Sequence, residues 1–274
     1  MVAQGPAALR RPLVLVIGGL DPSGAGLQAD IETCFALGCH ALPIATGLTI
    51  QNTRGVQRVI PATEADLTEQ IEVLLADAGP LAACKIGMLP SEASALSVGR
   101  ALSKLPTGVP VILDPVIAAS AGGVLMAPAL TDCLPQELLA RTTLIKPNLR
   151  EARRLTGAAT AEEAAARLCG ESPLPMYALV TGGDAPHAGQ VRHLLYKRGL
   201  RCAEFSSPHV EGLFHGTGCT LSSAIAAGCA LGMPPESAVE MALKYTWGSV
   251  QHAFPIGGAQ SIPDRRWFWK GGFP

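Results

Sequence analysis

The sequence predicts an α/β protein in which a central, mostly parallel sheet carries helices on both faces. Two observations lead to this prediction. Short apolar runs alternate with longer helix-like stretches along the chain, and such alternation is typical of parallel sheets built from β-α units. Hydrophobic residues make up 48% of the chain and charged residues 16%, as expected of broad apolar layers between a sheet and its helices.

The predicted elements follow one another from Leu13 to Ala253. Strands are assigned to apolar runs at Leu13–Ile17, Leu42–Ala45, Leu81–Ile86, Val109–Leu113, Thr142–Ile145 and Tyr177–Val180. The runs Val191–Lys197 and Leu200–Ser206, separated by Arg198-Gly199, predict a β-hairpin. Helices are predicted at Leu27–Leu37, Thr63–Ala78 (with Thr63 as a possible cap), Ser91–Leu105, Glu151–Leu155, Ala161–Leu168, Thr217–Leu231 and Pro235–Ala253.

One domain is the simplest organisation for 274 residues without a linker or a low-complexity segment. We expect an N-terminal extension at residues 1–12 and a single domain over residues 13–274. A domain of this size buries about 75% of the surface of its unfolded chain, so it needs neither a disulfide nor a metal for stability.

Charge and composition disfavour several kinds of partner and location. The formal net charge is -1, without a long basic run, so neither nucleic acid nor a membrane surface is the expected partner. The first apolar run continues into Asp21-Pro22-Ser23-Gly24 and is interpreted as a strand, not a signal peptide. The eight cysteines form no C-x-x-C pair, so we expect reduced thiols in the cytoplasm.

The strongest chemical signal is the segment HGTGCT at residues 215–220, which opens the predicted helix Thr217–Leu231. Its two glycines allow successive backbone N–H groups to point one way, and the helix N-terminus adds partial positive charge. This arrangement suits an anion, in particular a phosphoryl group during transfer. An isolated G-x-G is more often an ordinary helix start, so the surrounding residues decide.

Polar residues that follow other strands favour phosphate chemistry. Asn148 and Glu151 lie three residues apart at a strand-to-helix junction, where they face the same way and can hold the waters of a magnesium ion. Asp114 ends the run VPVILD, where a carboxylate either serves a metal or phosphate or caps the next turn. In open α/β sheets such strand ends meet at the ligand-binding edge.

Seven motifs in order carry a resemblance to a known family. They are GGLDPSGAGLQAD, ATGLTIQNT, KIGML, LDPV, KPNLREA, VTGG and HGTGCTLSSAIA. The chain resembles the hydroxymethylpyrimidine (phosphate) kinases of the ribokinase-like superfamily from about residue 13 to Gly258. The resemblance implies a ribokinase-like fold, ATP with Mg²⁺, and a homodimer. It also implies two phosphorylations in thiamine synthesis, of 4-amino-5-hydroxymethyl-2-methylpyrimidine and then of its monophosphate.

The resemblance also implies site residues. Asp30 and Gln51 would bind the pyrimidine, in a pocket lined by Gly18, Met88 and Val116. The remaining implied residues serve phosphate and metal: Asp114 and Glu151 for magnesium, Asn148, Thr181, Gly182 and Gly183 for the nucleotide phosphates, and Gly216, Thr217 and Gly218 for the anion hole.

The resemblance places Cys219 where most ribokinase-like sugar kinases have an aspartate base. A helix N-terminus beside an anion hole favours a thiolate, so we expect the pKa of this thiol to fall towards neutrality. Such a thiolate could accept the proton of the substrate hydroxyl. In the alternative interpretation the sulfur only fills space, while the loop and the metal carry the catalysis.

The chain departs from the family pattern at two places. Its first loop, Asp21-Pro22-Ser23-Gly24-Ala25-Gly26, is one glycine shorter than D-P-S-G-G-A-G. Thr181 stands where some members carry a lysine, so no lysine contact to phosphate is implied there.

Two other functions remain open, and a third, an NAD-dependent oxidoreductase, is disfavoured. Pyridoxal kinase shares the fold and an aromatic CH₂OH substrate. A non-catalytic pyrimidine-binding protein would need neither the GTGC loop nor Asn148 and Glu151. The segment Gly24–Ala29 fits the dinucleotide pattern G-x-G-x-x-A, but Leu42–Ile50 lacks the acidic residue that binds the ribose. The chain has no G-x-x-x-x-G-K-[ST] motif of P-loop kinases.

Overall fold

The computed structural model describes residues 11–118, 123, 125–127, 130, 134–170, 173–183 and 187–269. The predicted extension at residues 1–12 therefore lies almost wholly outside the described residues, as does Cys133. That residues 13–274 form one domain stays a prediction.

Within the described residues the main sheet has nine strands in the order β3-β2-β1-β4-β5-β6-β7-β8-β9. The six from β2 to β7 are parallel, and β3 and β8 run antiparallel to their neighbours β2 and β7. The strands are β1 (Leu13–Leu20), β2 (His40–Asn52), β3 (Gly55–Pro61), β4 (Leu81–Ile86), β5 (Val111–Leu113), β6 (Leu144–Ile145), β7 (Tyr177–Thr181), β8 (Gln190–Lys197) and β9 (Leu200–Pro208). A separate pair consists of β10 (Phe254–Pro255) and β11 (Ser261–Ile262).

Helices cover both faces of this sheet. They are α1 (Gly26–Ala36), α2 (Glu64–Asp77), α3 (Glu92–Ser103), α4 (Gln136–Leu139), α5 (Leu149–Thr156), α6 (Ala161–Leu168), α7 (Thr217–Ala230) and α8 (Pro235–Gln251). Strand β1 divides the core, because Leu15 and Ile17 pack with α2 and α3 while Val14 and Val16 pack with α1 and α7. The predicted α/β architecture is confirmed.

Local sequence sets several helix starts. The Thr63 side chain accepts a hydrogen bond from the backbone N–H of Asp66 at 3.1 Å, so the predicted cap of α2 is confirmed. Asn148 and Glu151 form a reciprocal capping box that begins α5. None of the described helices combines the length and the apolar character required to cross a membrane.

Strand β2 differs most from its prediction. It runs to Asn52, well beyond the predicted Leu42–Ala45, and pairs with β3, which the sequence did not predict. Gly47 permits the pairing, because a Cβ atom there would lie 2.6 Å from the carbonyl oxygen of Ile60. In this segment Thr49 is buried while Leu48 and Ile50 are exposed, so its polarity is the reverse of an ordinary half-buried strand.

Candidate active site

A cavity of ≈ 790 Å³ lies at the carboxyl ends of the parallel strands. Parallel strands end at one edge of the sheet, so the residues that follow β1, β4, β5, β6 and β7 meet there. The walls include most of the predicted site residues: Gln51, Met88, Asp114, Val116, Asn148, Glu151, Thr181, Gly183, Gly216, Thr217, Gly218 and Cys219.

Three predicted residues lie outside this wall. Gly18 lies behind Met88 within β1, and Gly182 lines a second, smaller cavity. Asp30 is fully buried on α1 and pairs with the equally buried Lys85, with an N–O distance of 2.8 Å. Asp30 is not among the residues that line the cavity, and its role in binding the pyrimidine stays a prediction.

The segment from Gly216 to Gly218 forms the first turn of α7. Gly216 adopts a φ of 85°, and a Cβ atom there would lie 2.5 Å from the carbonyl oxygen of Gly24, so only glycine fits. The hydroxyl of Thr217 is buried and has no hydrogen-bond partner among the described residues. N–H groups at a helix N-terminus together with an unpaired hydroxyl suit a phosphate ligand.

Two buried ion pairs lie under this turn. The Lys146 ammonium group is 3.0 Å from Oδ1 of Asp114, and the Ser222 hydroxyl donates to Oδ2 of the same carboxylate at 3.0 Å. Beside them, Asp30 accepts a hydrogen bond from Ser223 at 2.7 Å in addition to its pairing with Lys85. Successive serines of α7 thus hold the two carboxylates.

The environment of Cys219 contradicts one prediction. Burial raises the pKa of its thiol to about 11; Lys85 lowers it, but Asp30 and Asp114 raise it further. The prediction of a thiol pKa near neutrality is therefore wrong for the ligand-free protein. The helix N-terminus does not compensate for desolvation of a thiolate beside two carboxylates.

Glu151 combines a structural and an electrostatic position. Its carboxylate accepts hydrogen bonds from the backbone N–H groups of Asn148 at 2.9 Å and Ile117 at 3.3 Å. Burial, together with the negative charge of Asp114, raises its pKa to about 7. Asn148 directs its side-chain oxygen to the N–H of Glu151, so both residues cap α5.

Asp114 and Glu151 are the candidate magnesium ligands. Among the described residues no three His, Cys, Asp or Glu side chains gather into a metal site. Mg²⁺ bound with a nucleotide commonly takes one or two carboxylates, with phosphates and waters as its other ligands. Asp114 and Glu151 both line the cavity, where the Lys146 ammonium group already neutralises part of their negative charge. These residues fit a magnesium ion bound mainly by phosphate.

A second cluster surrounds Gln51 at the far end of β2. The Nε2 atom of His215 lies 2.5 Å from Oδ2 of Asp21 and 3.0 Å from the Gln51 amide. Burial alone would raise the pKa of Asp21, but hydrogen bonds from His215 and Ser23 lower it below its ordinary value. It is the Gln51 amide nitrogen that faces Nε2 of His215. One ring nitrogen cannot both donate to Asp21 and accept from this NH₂ group, so the tautomer of His215 decides which of the two contacts is a hydrogen bond.

Sequence reasoning did not identify several residues of this site. Lys146 directly follows a predicted strand, so its position was a usable signal. His215 and Asp21 stand within quoted motifs without an assigned role. Lys85, Ser222 and Ser223 also stand within quoted motifs, but nothing in the sequence indicated their partners, which lie 55 to 193 residues away.

Comparisons with known proteins agree with this geometry. A family model described as phosphomethylpyrimidine kinase matches residues 21–263. The chain belongs to the phosphomethylpyrimidine kinase family. The hydroxymethylpyrimidine/phosphomethylpyrimidine kinase of Streptomyces coelicolor is 35% identical over 264 residues, which cover 93% of this chain and 95% of the relative. The protein of the same name from Mycobacterium bovis is 36% identical, with 92% and 93% covered.

Solved structures agree with a ribokinase-like fold. The pyridoxal kinase of Staphylococcus aureus in complex with AMP-PCP and pyridoxal has a TM-score of 0.84 at 23% identity, over 95% of this chain and 96% of the other. A phosphomethylpyrimidine kinase from Clostridium difficile has a TM-score of 0.72 at 29% identity, over 88% and 100%. At 23% identity the first likeness establishes the fold alone.

Proposed function

We propose that this phosphomethylpyrimidine kinase family member uses ATP to phosphorylate 4-amino-5-hydroxymethyl-2-methylpyrimidine, and then its monophosphate, in thiamine diphosphate synthesis. One observation carries the proposal. A single cavity joins Gln51, an amide that can pair with a pyrimidine edge, to the glycine-rich N-terminus of α7. Its curated relatives bear the names of kinases of this pyrimidine and its phosphate.

In the proposed first step the substrate hydroxyl oxygen attacks the γ-phosphorus of ATP. The new O–P bond forms while the bond between this phosphorus and the bridging oxygen breaks. ADP keeps the electron pair of the broken bond, and the hydroxyl proton is released to water, so the step yields the phosphate ester, ADP and one proton. When bound, magnesium neutralises charge on the nucleotide phosphates.

The protein's own residues position the reactants. N–H groups from Gly216 to Gly218 point at the phosphoryl group, where preorganised donors stabilise developing negative charge. Gln51 orients the pyrimidine, and its amide contacts His215, whose ring is in turn paired with Asp21. An apolar wall formed by Val210, Leu213, Leu243 and Val250 offers a surface for the nucleotide base.

The direct test is a coupled ADP-release assay with the pyrimidine, its monophosphate, pyridoxal and ribose side by side. We expect magnesium-dependent ADP release that is greatest with the pyrimidine substrates. Equal or faster turnover of pyridoxal would assign the protein to vitamin B6 salvage instead. ADP release that no substrate stimulates would favour a binding protein.

A substitution at Gln51 separates substrate recognition from nucleotide binding. Gln51→Ala leaves a polar edge of the bound pyrimidine unpaired, which we expect to lower kcat/KM for the pyrimidine by about 1–3 kcal/mol of transition-state stabilisation. The KM for ATP should change little. Asn52→Ala is the matched control, since Asn52 is the next residue and is exposed. A selective loss of ATP affinity would show that Gln51 belongs to the nucleotide side.

A further inference from the structure

Lys146 is the first residue after β6, at the edge of the sheet where the cavity opens. Its backbone N–H donates to the carbonyl oxygen of Leu113 at 2.8 Å, so neighbouring strands fix its position. Its side chain is only 4% exposed, yet it forms part of the cavity wall. A lysine placed in this way presents a positive charge to whatever fills the cavity.

The ammonium group of Lys146 has fixed partners. It lies 3.0 Å from Asp114, whose other oxygen accepts a hydrogen bond from Ser222. An ammonium group has three N–H donors, and this ion pair uses one of them. The pair therefore orients the charge and leaves donors for a ligand.

Gly218 leaves open the space between Lys146 and the first turn of α7. A Cβ atom at Gly218 would lie 3.5 Å from Nζ of Lys146 and 3.8 Å from Oδ2 of Asp114. Gly218 does not require positive φ, because it is not among the glycines with that conformation. The glycine therefore keeps the route clear between the ammonium group and the anion-binding turn.

We propose that Lys146 is a catalytic residue whose ammonium group contacts the terminal phosphoryl group held at the N-terminus of α7. This inference rests on the proposed kinase function. Asp114 and Ser222 hold the ammonium group in place before the nucleotide arrives. Lys146 then supplies a fixed positive charge to the transferring group.

Lys146 gains and loses no proton in this step. As the phosphoryl group leaves ADP and joins the substrate oxygen, negative charge spreads over its non-bridging oxygens and the bridging oxygen. A preorganised cation stabilises this charge more than it stabilises the ground state. The effect should therefore appear in kcat, in addition to the affinity for a nucleotide that carries the terminal phosphate.

Three variants test the proposal. Lys146→Met removes the charge but leaves the Asp114 carboxylate buried without its partner, which destabilises a fold. Lys146→Met with Asp114→Asn removes both charges of the pair, and it is compared with Asp114→Asn alone, because Asp114 also lies at the proposed magnesium position. Lys146→Met with Thr181→Lys returns a cation to the same cavity from β7, whose Thr181 N–H donates to Pro147 at 3.0 Å. Lys104→Met, at an exposed lysine on the outer surface, is the control.

Nucleotide binding is measured by titration calorimetry with AMP-PCP and with ADP, at constant magnesium and without pyrimidine. Because Lys146 contacts the terminal phosphate, both charge-removing variants should bind AMP-PCP more weakly by about 10- to 100-fold. Their affinity for ADP should change by less than about threefold, since ADP lacks that phosphate. The control should match the parent with both nucleotides.

Turnover provides the second measurement. We expect kcat to fall by about 10²–10³-fold in the Lys146→Met variants, with the KM for the pyrimidine little changed. The Thr181→Lys variant should recover at least part of that loss.

A purely structural ion pair predicts another pattern. The double variant Lys146→Met with Asp114→Asn would then bind AMP-PCP as Asp114→Asn alone does, and this result would overturn the proposal. A kcat of Lys146→Met within a few-fold of the parent would overturn it as well. Failure of the kinase function itself is seen separately, as a parent protein that releases no ADP with any pyrimidine.

Discussion

Cys219 illustrates how surrounding charges decide the chemistry of a single residue. Its position at the start of α7 favours a thiolate, but two carboxylates, Asp30 and Asp114, lie near enough to oppose one. The two lysines beneath the turn are already paired with those carboxylates. The thiol is therefore protonated at neutral pH in the ligand-free protein, and it cannot act there as a ready base.

Alkylation measures this protonation state. With a pKa of about 11, the thiolate fraction at pH 7 is on the order of 10⁻⁴, so iodoacetamide labelling of Cys219 should be slow. The rate should rise about tenfold per pH unit from pH 7 to pH 9, followed by mass spectrometry of the Cys219 peptide. Glutathione provides the reference. Labelling that is already fast at pH 7 and does not rise with pH would restore the thiolate base.

Glu151 gives the metal-free protein a pH-dependent stability. Burial and Asp114 raise its pKa from 4.5 to about 7 on folding, so the folded state retains a proton that the unfolded state has lost. This contribution to stability is complete below about pH 4.5 and is lost as the pH rises through about 7.

The variant Glu151→Gln removes this titration. Relative to the parent, its free energy of unfolding should improve by on the order of 3 kcal/mol between pH 5 and pH 8, measured by urea denaturation in EDTA. The cost of losing one capping oxygen is nearly the same at both pH values and cancels in the comparison. A difference between variant and parent that does not change with pH would contradict the raised pKa.

At the scale of elements, the sequence predicted most strands and helices because apolar runs report burial directly. Strands β4 and β7 and helices α6 and α7 match their predictions closely, since each is an apolar or strongly periodic segment. The second half of β2 and the whole of β3 were missed. Backbone pairing between β2 and β3 holds this region together. Burial of apolar side chains does not, since Thr49 is buried there while Ile50 is exposed.

The site shows the same difference between features that the local sequence predicts and features that only the fold brings together. Residues after strands were predictable, because every parallel strand delivers its carboxyl end to one edge. Partners across the fold were not: nothing near Asp30 in the chain indicates Lys85 or Ser223. Asp30 was therefore assigned to the ligand, although the structure buries it in an ion pair beneath α7.

At the scale of the whole molecule, the C-terminal segment connects the loop after β1 to the anion-binding first turn of α7. Arg265 is 2% exposed and donates hydrogen bonds to the Gly24 carbonyl oxygen at 2.7 Å and the Thr220 hydroxyl at 3.0 Å. It also pairs with Glu32 at 2.6 Å. One guanidinium group thus joins the loop after β1, helix α1 and the first turns of α7.

The variant Arg265→Met tests this connection. It leaves the buried Gly24 carbonyl oxygen and the buried Thr220 hydroxyl without this donor, so we expect the free energy of unfolding to fall by about 3 kcal/mol. A Cβ atom at Gly216 would lie 2.8 Å from Nη2 of Arg265, so the side chain also packs against the anion-binding turn. Its loss should therefore weaken AMP-PCP binding under conditions where the variant remains folded.

Arg266→Met is the matched control, because Arg266 is adjacent and exposed. If both variants unfold at the same urea concentration as the parent, the C-terminal segment does not support the site, and the loop after β1 is held by α1 and α7 alone.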